Sequence, residues 1–183
     1  MATNDKKPPL SPEALAFRDG MSRLGAAVNI VTTDGPAGRH GLTVSAVCSV
    51  TDTPPTLLVC INSNAYAHDA FAENGVICVN VLAPSHQDLS RSFARWTGED
   101  RFASTIWGSL ATGAPVLDDA AVAFDCRIVD RQSRGTHTVF FCEVQATAVG
   151  KGSGDGLVWF DRRFHPLPGA SVEGAGHHAT SSS

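Results

Sequence analysis

Apolar positions in this chain fall mostly into short β-branched runs rather than long helical stripes. The densest such region is GLTVSAVCSVTDTPPTLLVCIN, from Gly41 to Asn62. In its first half Thr43, Ser45 and Ser49 are spaced by two and four residues, which along one continuous strand sets all three hydroxyls on one face. In its second half Thr56 to Ile61 (TLLVCI) shows no alternation, as expected of a strand covered on both sides. Between them Asp52-Thr53-Pro54-Pro55 withholds two amide donors and forces a turn. A hydroxyl-faced strand beside a buried one offers a surface for a flat polar ligand, and it is equally the pattern of a plain hairpin.

The same patterning predicts the other elements. Ser11-Pro12-Glu13 combines an N-cap, a first-turn proline and a dipole-complementing acid, and Ala14, Phe17, Met21 and Leu24 follow at helical spacing until Gly25. Strands are predicted over Ala26–Thr33, with Asn29 as its polar interruption, Val76–Leu82, Ala121–Asp130, Thr138–Val149 and Leu157–Phe160. In Ala121–Asp130, Val122, Phe124, Cys126 and Ile128 alternate with Ala123, Asp125, Arg127 and Val129, the mark of a half-buried strand. Helices are predicted from about Ala65 to Glu73, stopped by Asn74-Gly75, and from Ser85, where Ser85 and Asp88 have capping-box spacing. In that second helix Leu89 and Phe93 share a face, and Arg91 and Arg95 extend from it. The stretch from Trp96 to Asp119 carries repeated turn signals and is expected to be loop with short pieces of structure.

Six or more short strands with two or three inserted helices, and no strict β-α alternation, argue for a mainly β fold. A closed or nearly closed barrel with helical decorations suits this pattern better than a doubly wound parallel sheet. Residues 1–10 and 168–183 are expected to be disordered tails, which leaves 11–167 as a single domain.

Composition narrows the function. A net charge of −4 with 17% charged residues gives no basic stripe, so nucleic acid is not an expected partner. The 43% apolar content points to surface hidden in an oligomer. The five cysteines, Cys48, Cys60, Cys78, Cys126 and Cys142, lack Cys-x-x-Cys spacing and lie in apolar segments. They read as small core residues in a reducing compartment. With no apolar run of membrane-spanning length and no signal-peptide core, a cytoplasmic protein is expected.

The search for catalytic motifs is negative for G-x-S-x-G, H-E-x-x-H, G-x-x-x-x-G-K-[ST] and G-x-G-x-x-G. The histidines, among them His40, His68, His86, His137 and His165, show no ligand spacing, and no metal site is expected. What remains is the hydroxyl face, Asn62, a histidine at a hairpin turn and a basic-aromatic cluster near the C-terminus. A polar binding strand without acid-base pairs suits a protein in which a cofactor carries the reaction.

Several segments in order, GLTVSAVCSVTDTPPTLLVCIN, ENGVICVNVL, SRSFA, GTH and GLVWFDRRFHPL, span Ala14 to about Leu167. They resemble the short-chain NAD(P)H:flavin oxidoreductases, reductase components of two-component monooxygenases. The pyrimidine-utilisation branch is most similar, and reductases serving hydroxyphenylacetate and chlorophenol monooxygenases nearly so. The resemblance implies an FMN-binding split β-barrel, a homodimer, and FMN or FAD reduced by NADH in preference to NADPH. It further implies that free reduced flavin passes to a separate monooxygenase in pyrimidine or phenolic catabolism.

Position by position, the resemblance implies that Thr43, Val44, Ser45 and Ala46 line the flavin ring and ribityl chain, with Cys48 and Ser49 continuing that wall. Asn29 is implied beside the ring, Asn62 and Ser63 near the ribityl phosphate, and Phe93-Ala94-Arg95 as a source of amides and a guanidinium for phosphate. The nicotinamide contact falls on His137, with Arg163, Phe164 and His165 forming the rest of that pocket. No side chain is assigned an acid or base role. Tyr66 stands where many relatives carry Ser or Thr, and Phe164 where Tyr is common, so neither hydroxyl contact is carried over. By their residue types alone, Thr43 and Ser45 equally suit an exposed strand, His137 a turn, Asn62 a helix cap and Arg95 a solvated face. A flavin- or haem-binding split barrel without turnover, and a flavin-dependent reductase of a corrinoid or ferric complex, are the alternatives.

Overall fold

The computed structural model describes residues 10–95, 101–152 and 154–169. Helix α1 spans Pro12–Ser22. Its start follows the sequence signal, because the Ser11 hydroxyl accepts the Ala14 N–H at 3.2 Å. A backbone hydrogen bond, then one from Ser11, holds the Glu13 carboxyl below its ordinary range. The helix stops at Ser22, short of Gly25, and its apolar side chains stay outside the core, with Phe17 68% and Leu15 55% exposed.

The strand expected over residues 26–33 is two strands, β1 (Ala26–Ala27) and β2 (Asn29–Thr33). Val28 separates them, donating to the Leu157 carbonyl and accepting from Leu82 N–H, each at 3.0 Å. Then come β3 (His40–Val44), β4 (Val47–Asp52), β5 (Pro55–Asn62), α2 (His68–Asn74), β6 (Val76–Val81) and α3 (Gln87–Ala94). Gly75 ends α2 in the left-handed conformation at φ 67°. The anticipated Ser85 cap is absent. Instead a 3-10 turn, Pro84–His86, precedes α3, and buried His86 accepts the Ala83 N–H through Nδ1 at 3.1 Å. Short strands β7 (Trp107–Ser109) and β8 (Pro115–Leu117) follow, then the long ribbon β9 (Val122–Arg134) and β10 (His137–Val149), and the hairpin β11 (Gly156–Phe160) and β12 (Arg163–Leu167).

Seven strands form one antiparallel sheet in the order β3-β2-β6-β9-β10-β5-β4. The two edge strands are consecutive in the chain, joined only by Ser45 and Ala46. So short a link reaches roughly 10 Å, so the sheet must curl until its edges nearly meet. The result is a split barrel, joined covalently at the crossover rather than closed by a ladder of hydrogen bonds. Inside it lie Val31, Val59, Ile61, Phe71, Ile77 and Phe140. A second cluster, centred on Ile30, Leu82 and Phe93, packs α3 against the outer wall. Gly41 makes that approach possible, since a Cβ there would meet the Phe93 ring at 2.8 Å.

The fold corrects three expectations. The crossover breaks the strand meant to carry Thr43, Ser45 and Ser49 on one face, leaving Thr43 in β3 and Ser49 in β4. In β9, Asp125 is fully buried instead of facing out, and its carboxylate accepts from the amide of Thr112 at 2.7 Å and from the Thr112 hydroxyl. Those donors replace the water the carboxylate loses. Cys48 is exposed, whereas Cys78, Cys126 and Cys142 are buried. Burial pushes the thiols of Cys78 and Cys126 far up and that of Cys142 to about 12, so they behave as small neutral core residues. Among the described residues no helix is long and apolar enough to cross a membrane.

Candidate functional site

A groove follows the Ser45–Ala46 crossover. It has two lobes, of about 360 and 350 Å³, which share Thr43, Val44, Ser45 and Ala94. The crossover is held from beneath and from the side. Asn29, only 2% exposed, donates its side-chain amide to the carbonyls of Ala27 at 3.0 Å and Val44 at 3.4 Å. Asn29 thus fixes the end of β3 and does not itself line the groove. The Thr43 hydroxyl donates to the Ser90 carbonyl at 2.7 Å, tying β3 to α3. Beyond it the Ala46 carbonyl accepts from Cys60 N–H at 3.0 Å, and Ser45 and Ala46 are left exposed at the join.

The first lobe is aromatic and cationic. Trp159 and Phe164 meet edge to face with centroids 4.9 Å apart. Arg91 lies over the Phe164 ring at 5.1 Å and pairs with Asp88 at 2.6 Å, and Arg95 lines the same lobe. Trp159 and Phe164 are opposed because Asp161 and Arg162, at φ 47° and 59°, make a two-residue turn between β11 and β12. Neither Trp159 nor Arg91 was among the sequence-predicted site residues. The signal for Trp159 was the WFDRRF segment itself, but Asp-Arg lacks the glycine that marks such turns.

The second lobe is lined by strand ends. Asn62 in β5 sits directly opposite His137 in β10. The Asn62 side-chain Oδ1 accepts from Asn64 N–H at 2.9 Å, and His137 Nδ1 lies 2.9 Å from the Thr136 hydroxyl. Ser63, predicted beside the phosphate, is exposed and lines neither lobe, its N–H donating to the Thr136 carbonyl at 2.9 Å.

The structure therefore gathers Thr43, Val44, Ser45, Ala46, Asn62, Phe93, Ala94, Arg95, His137 and Phe164 around one groove. It separates others. Cys48 lines neither lobe but a larger hollow of about 870 Å³ beside α1, which adjoins the groove at Ser45, Ala46 and Trp159, and Ser49 lines none of these cavities. His137 and Phe164 occupy different lobes, so one chain does not assemble them into a single pocket. Arg163 and His165 alternate with Phe164 along β12, and His165 Nε2 lies 3.1 Å from the Phe160 carbonyl. Phe93 and Ala94 close α3 and Arg95 caps it, at the helix end that presents carbonyls rather than amides, and the Phe93 carbonyl accepts from Arg101 at 3.3 Å. Of that trio only the Arg95 guanidinium is suited to an anion.

Stacking rings, hydroxyl and amide edges and arginines on one flank form a site for a flat heteroaromatic group carrying phosphate. Flavin chemistry fits that donor set. Among the described residues no group of three or more His, Cys, Asp or Glu is placed to hold a metal.

Comparison with known proteins agrees. The model of the flavin reductase like domain family matches residues 21–168. A protein from Variovorax paradoxus (strain S110) named FMN reductase (NADH) RutF is 58% identical over 161 residues, covering 87% of this chain and 88% of that protein. A solved structure from Haemophilus somnus 129PT, described as a candidate flavin reductase, has a TM-score of 0.80 at 43% identity and covers 86% of this chain and 100% of its own. BorF, the flavin reductase component of a bacterial two-component tryptophan halogenase, has a TM-score of 0.78 at 30% identity, with 84% and 98% covered. The chain belongs to the flavin reductase like domain family.

Proposed function

We propose that the protein is an NADH-dependent flavin reductase whose groove binds FMN or FAD across the Ser45–Ala46 crossover. Family membership and the likeness to an FMN reductase (NADH) support the activity. The observation that carries the site is the crossover itself, which brings an aromatic lobe and an amide-imidazole lobe to the same few backbone atoms.

When bound, flavin and NADH supply the hydride donor and acceptor. This chain's residues hold them. Trp159 and Phe164 offer an apolar face, Ser45 and Asn62 polar edges, and Arg95 a guanidinium for phosphate. His137 is the candidate nicotinamide contact. Asn29 and Thr43 keep the crossover rigid, which matters because stacked rings react only when their atoms are held in near-attack geometry. No residue of the groove needs to exchange a proton for hydride to pass.

Our reading extends to a separate acceptor. Reduced flavin leaves for a partner monooxygenase, and the RutF-like sequence favours one that opens pyrimidines over one that hydroxylates phenols. NADH supply fits a cytoplasmic setting. A second copy of the chain is the proposed occupant of the 870 Å³ hollow, because Leu15 and Met21 of α1, and Leu24 just beyond it, border the hollow while remaining 55%, 47% and 62% exposed. Leu24→Asp should turn a dimer into a monomer in light scattering.

The deciding experiment is NADH oxidation followed at 340 nm with added FMN or FAD. Rapid flavin-dependent oxidation is expected. A protein that binds flavin yet oxidises neither NADH nor NADPH is a carrier, and the enzyme reading fails.

A further inference from the structure

Ser90 lies in the middle of α3, only 1% exposed, and no role for it was expected from the sequence. Its carbonyl oxygen accepts from the Thr43 hydroxyl at 2.7 Å, but among the described residues its own hydroxyl has no hydrogen-bond partner. A serine inside a helix commonly turns its hydroxyl back onto a carbonyl of the preceding turn. Ser92 does so on the same helix, donating to the Leu89 carbonyl at 2.7 Å. Ser90 does not, although a buried hydroxyl without a partner costs stability. The helix face accounts for the difference. Ser90, Arg91, Ala94 and Arg95 recur at the spacing of one face and all line the aromatic lobe, whereas Leu89 and Phe93 pack into the second apolar cluster.

Thr43 completes the corner. It lines the same lobe, and because its proton is committed to the Ser90 carbonyl, its oxygen has only lone pairs left to offer. Ser90, with no acceptor of its own, has a proton to give. A donor beside an acceptor complements a C=O beside an N–H, which is the edge of an amide. Flavin carries such an edge in its pyrimidine ring and nicotinamide in its carboxamide. A phosphate group offers acceptors and matches Ser90 alone.

We propose that Ser90 and Thr43 together read the amide edge of a ring bound in the aromatic lobe, Ser90 donating to its carbonyl and Thr43 accepting from its N–H. The proposal rests on the flavin reductase reading and adds Ser90 to the binding residues. The ligand-free protein forgoes the back-bond that Ser92 makes and keeps that proton for the ligand, a binding contact held at a cost in stability.

The test compares wild-type protein with Ser90→Ala by FMN affinity, read from flavin fluorescence quenching, by KM for NADH, and by urea unfolding without ligand. Ser90→Ala should weaken one of the two ligands about five- to tenfold, the size of one lost hydrogen bond. It should leave the urea midpoint unchanged or raise it, because the hydroxyl has no partner in the ligand-free protein to lose. Weaker FMN binding assigns the corner to the flavin, and 3-methyl-FMN, which lacks the N–H, should then bind both proteins alike. A higher KM for NADH at unchanged kcat assigns it to the carboxamide, and the reduced 3-acetylpyridine analogue, which also lacks the N–H, should then show one KM with both proteins. A loss shared equally by FMN and NADH, a loss that persists with the analogue, or no loss at all overturns the proposal. So does a lowered urea midpoint, which makes the hydroxyl part of the fold. A wild-type protein that binds FMN but oxidises no NADH overturns the reductase reading and leaves the FMN measurements to judge Ser90, and one that binds neither ligand overturns both.

Discussion

The two lobes of the groove share Thr43, Val44, Ser45 and Ala94 but are held together by different means. The Phe164 lobe depends on side chains, with Trp159 on Phe164 at 4.9 Å and Arg91 over Phe164 at 5.1 Å. The His137 lobe depends on backbone register, with β10 paired to β5 from His137 opposite Asn62 to Glu143 opposite Thr56. Side-chain contacts on a short hairpin can re-pack around a ligand, whereas a ladder of this length shifts only as a unit. One lobe is built to adapt and the other to hold a fixed geometry.

Substitutions at the shared floor should damage both lobes, and those at the ends only one. Phe93 lies beneath the groove at 2% exposure, so Phe93→Ala should cost about 3–5 kcal/mol in urea unfolding and weaken flavin and NADH use together. Gly41→Ala should cost about 1–3 kcal/mol by the same measurement, because the added methyl meets the Phe93 ring and the Val31 carbonyl. At the register-held end, His137→Ala should raise KM for NADH roughly tenfold and leave flavin affinity, read from flavin fluorescence quenching, unchanged. Unaltered NADH kinetics would remove His137 from the site. The smallest effect is expected at the adaptable end, where Arg91→Ala gives up a cation-ring contact and a surface ion pair worth about 0.5–1 kcal/mol. A loss of flavin affinity far beyond about fivefold would show that Arg91 contacts the ligand directly.

Much of the β framework was legible because each strand carries its own signal. The runs at Val76–Val81 and His137–Val149, and the Asn74-Gly75 stop, are local patterns that tertiary packing did not override. The Ser11 cap is equally local. Asp125 was misplaced because the Thr112 groups that satisfy its carboxylate come from another part of the chain. The supposed Ser85 cap failed for a local reason instead: the side chain of buried His86 takes the Ala83 N–H within the same turn. Trp159 and Arg91 went unassigned because their meeting with Phe164 depends on a turn with two left-handed residues that are not glycine.

By itself, then, the sequence determined the class of fold, the order of strands and helices, and the family resemblance carried by its motifs. It also identified Gly41–Asn62 as the region where hydroxyls meet buried apolar residues. The tertiary structure decided how that region is used. It broke the supposed single strand at Ser45–Ala46 and placed the two pieces at opposite edges of one sheet. Strand periodicity describes neighbours along a chain, whereas a site at a barrel seam depends on which distant strands curl back to meet. That curl is a property of the whole sheet's twist and closure, and no local spacing contains it.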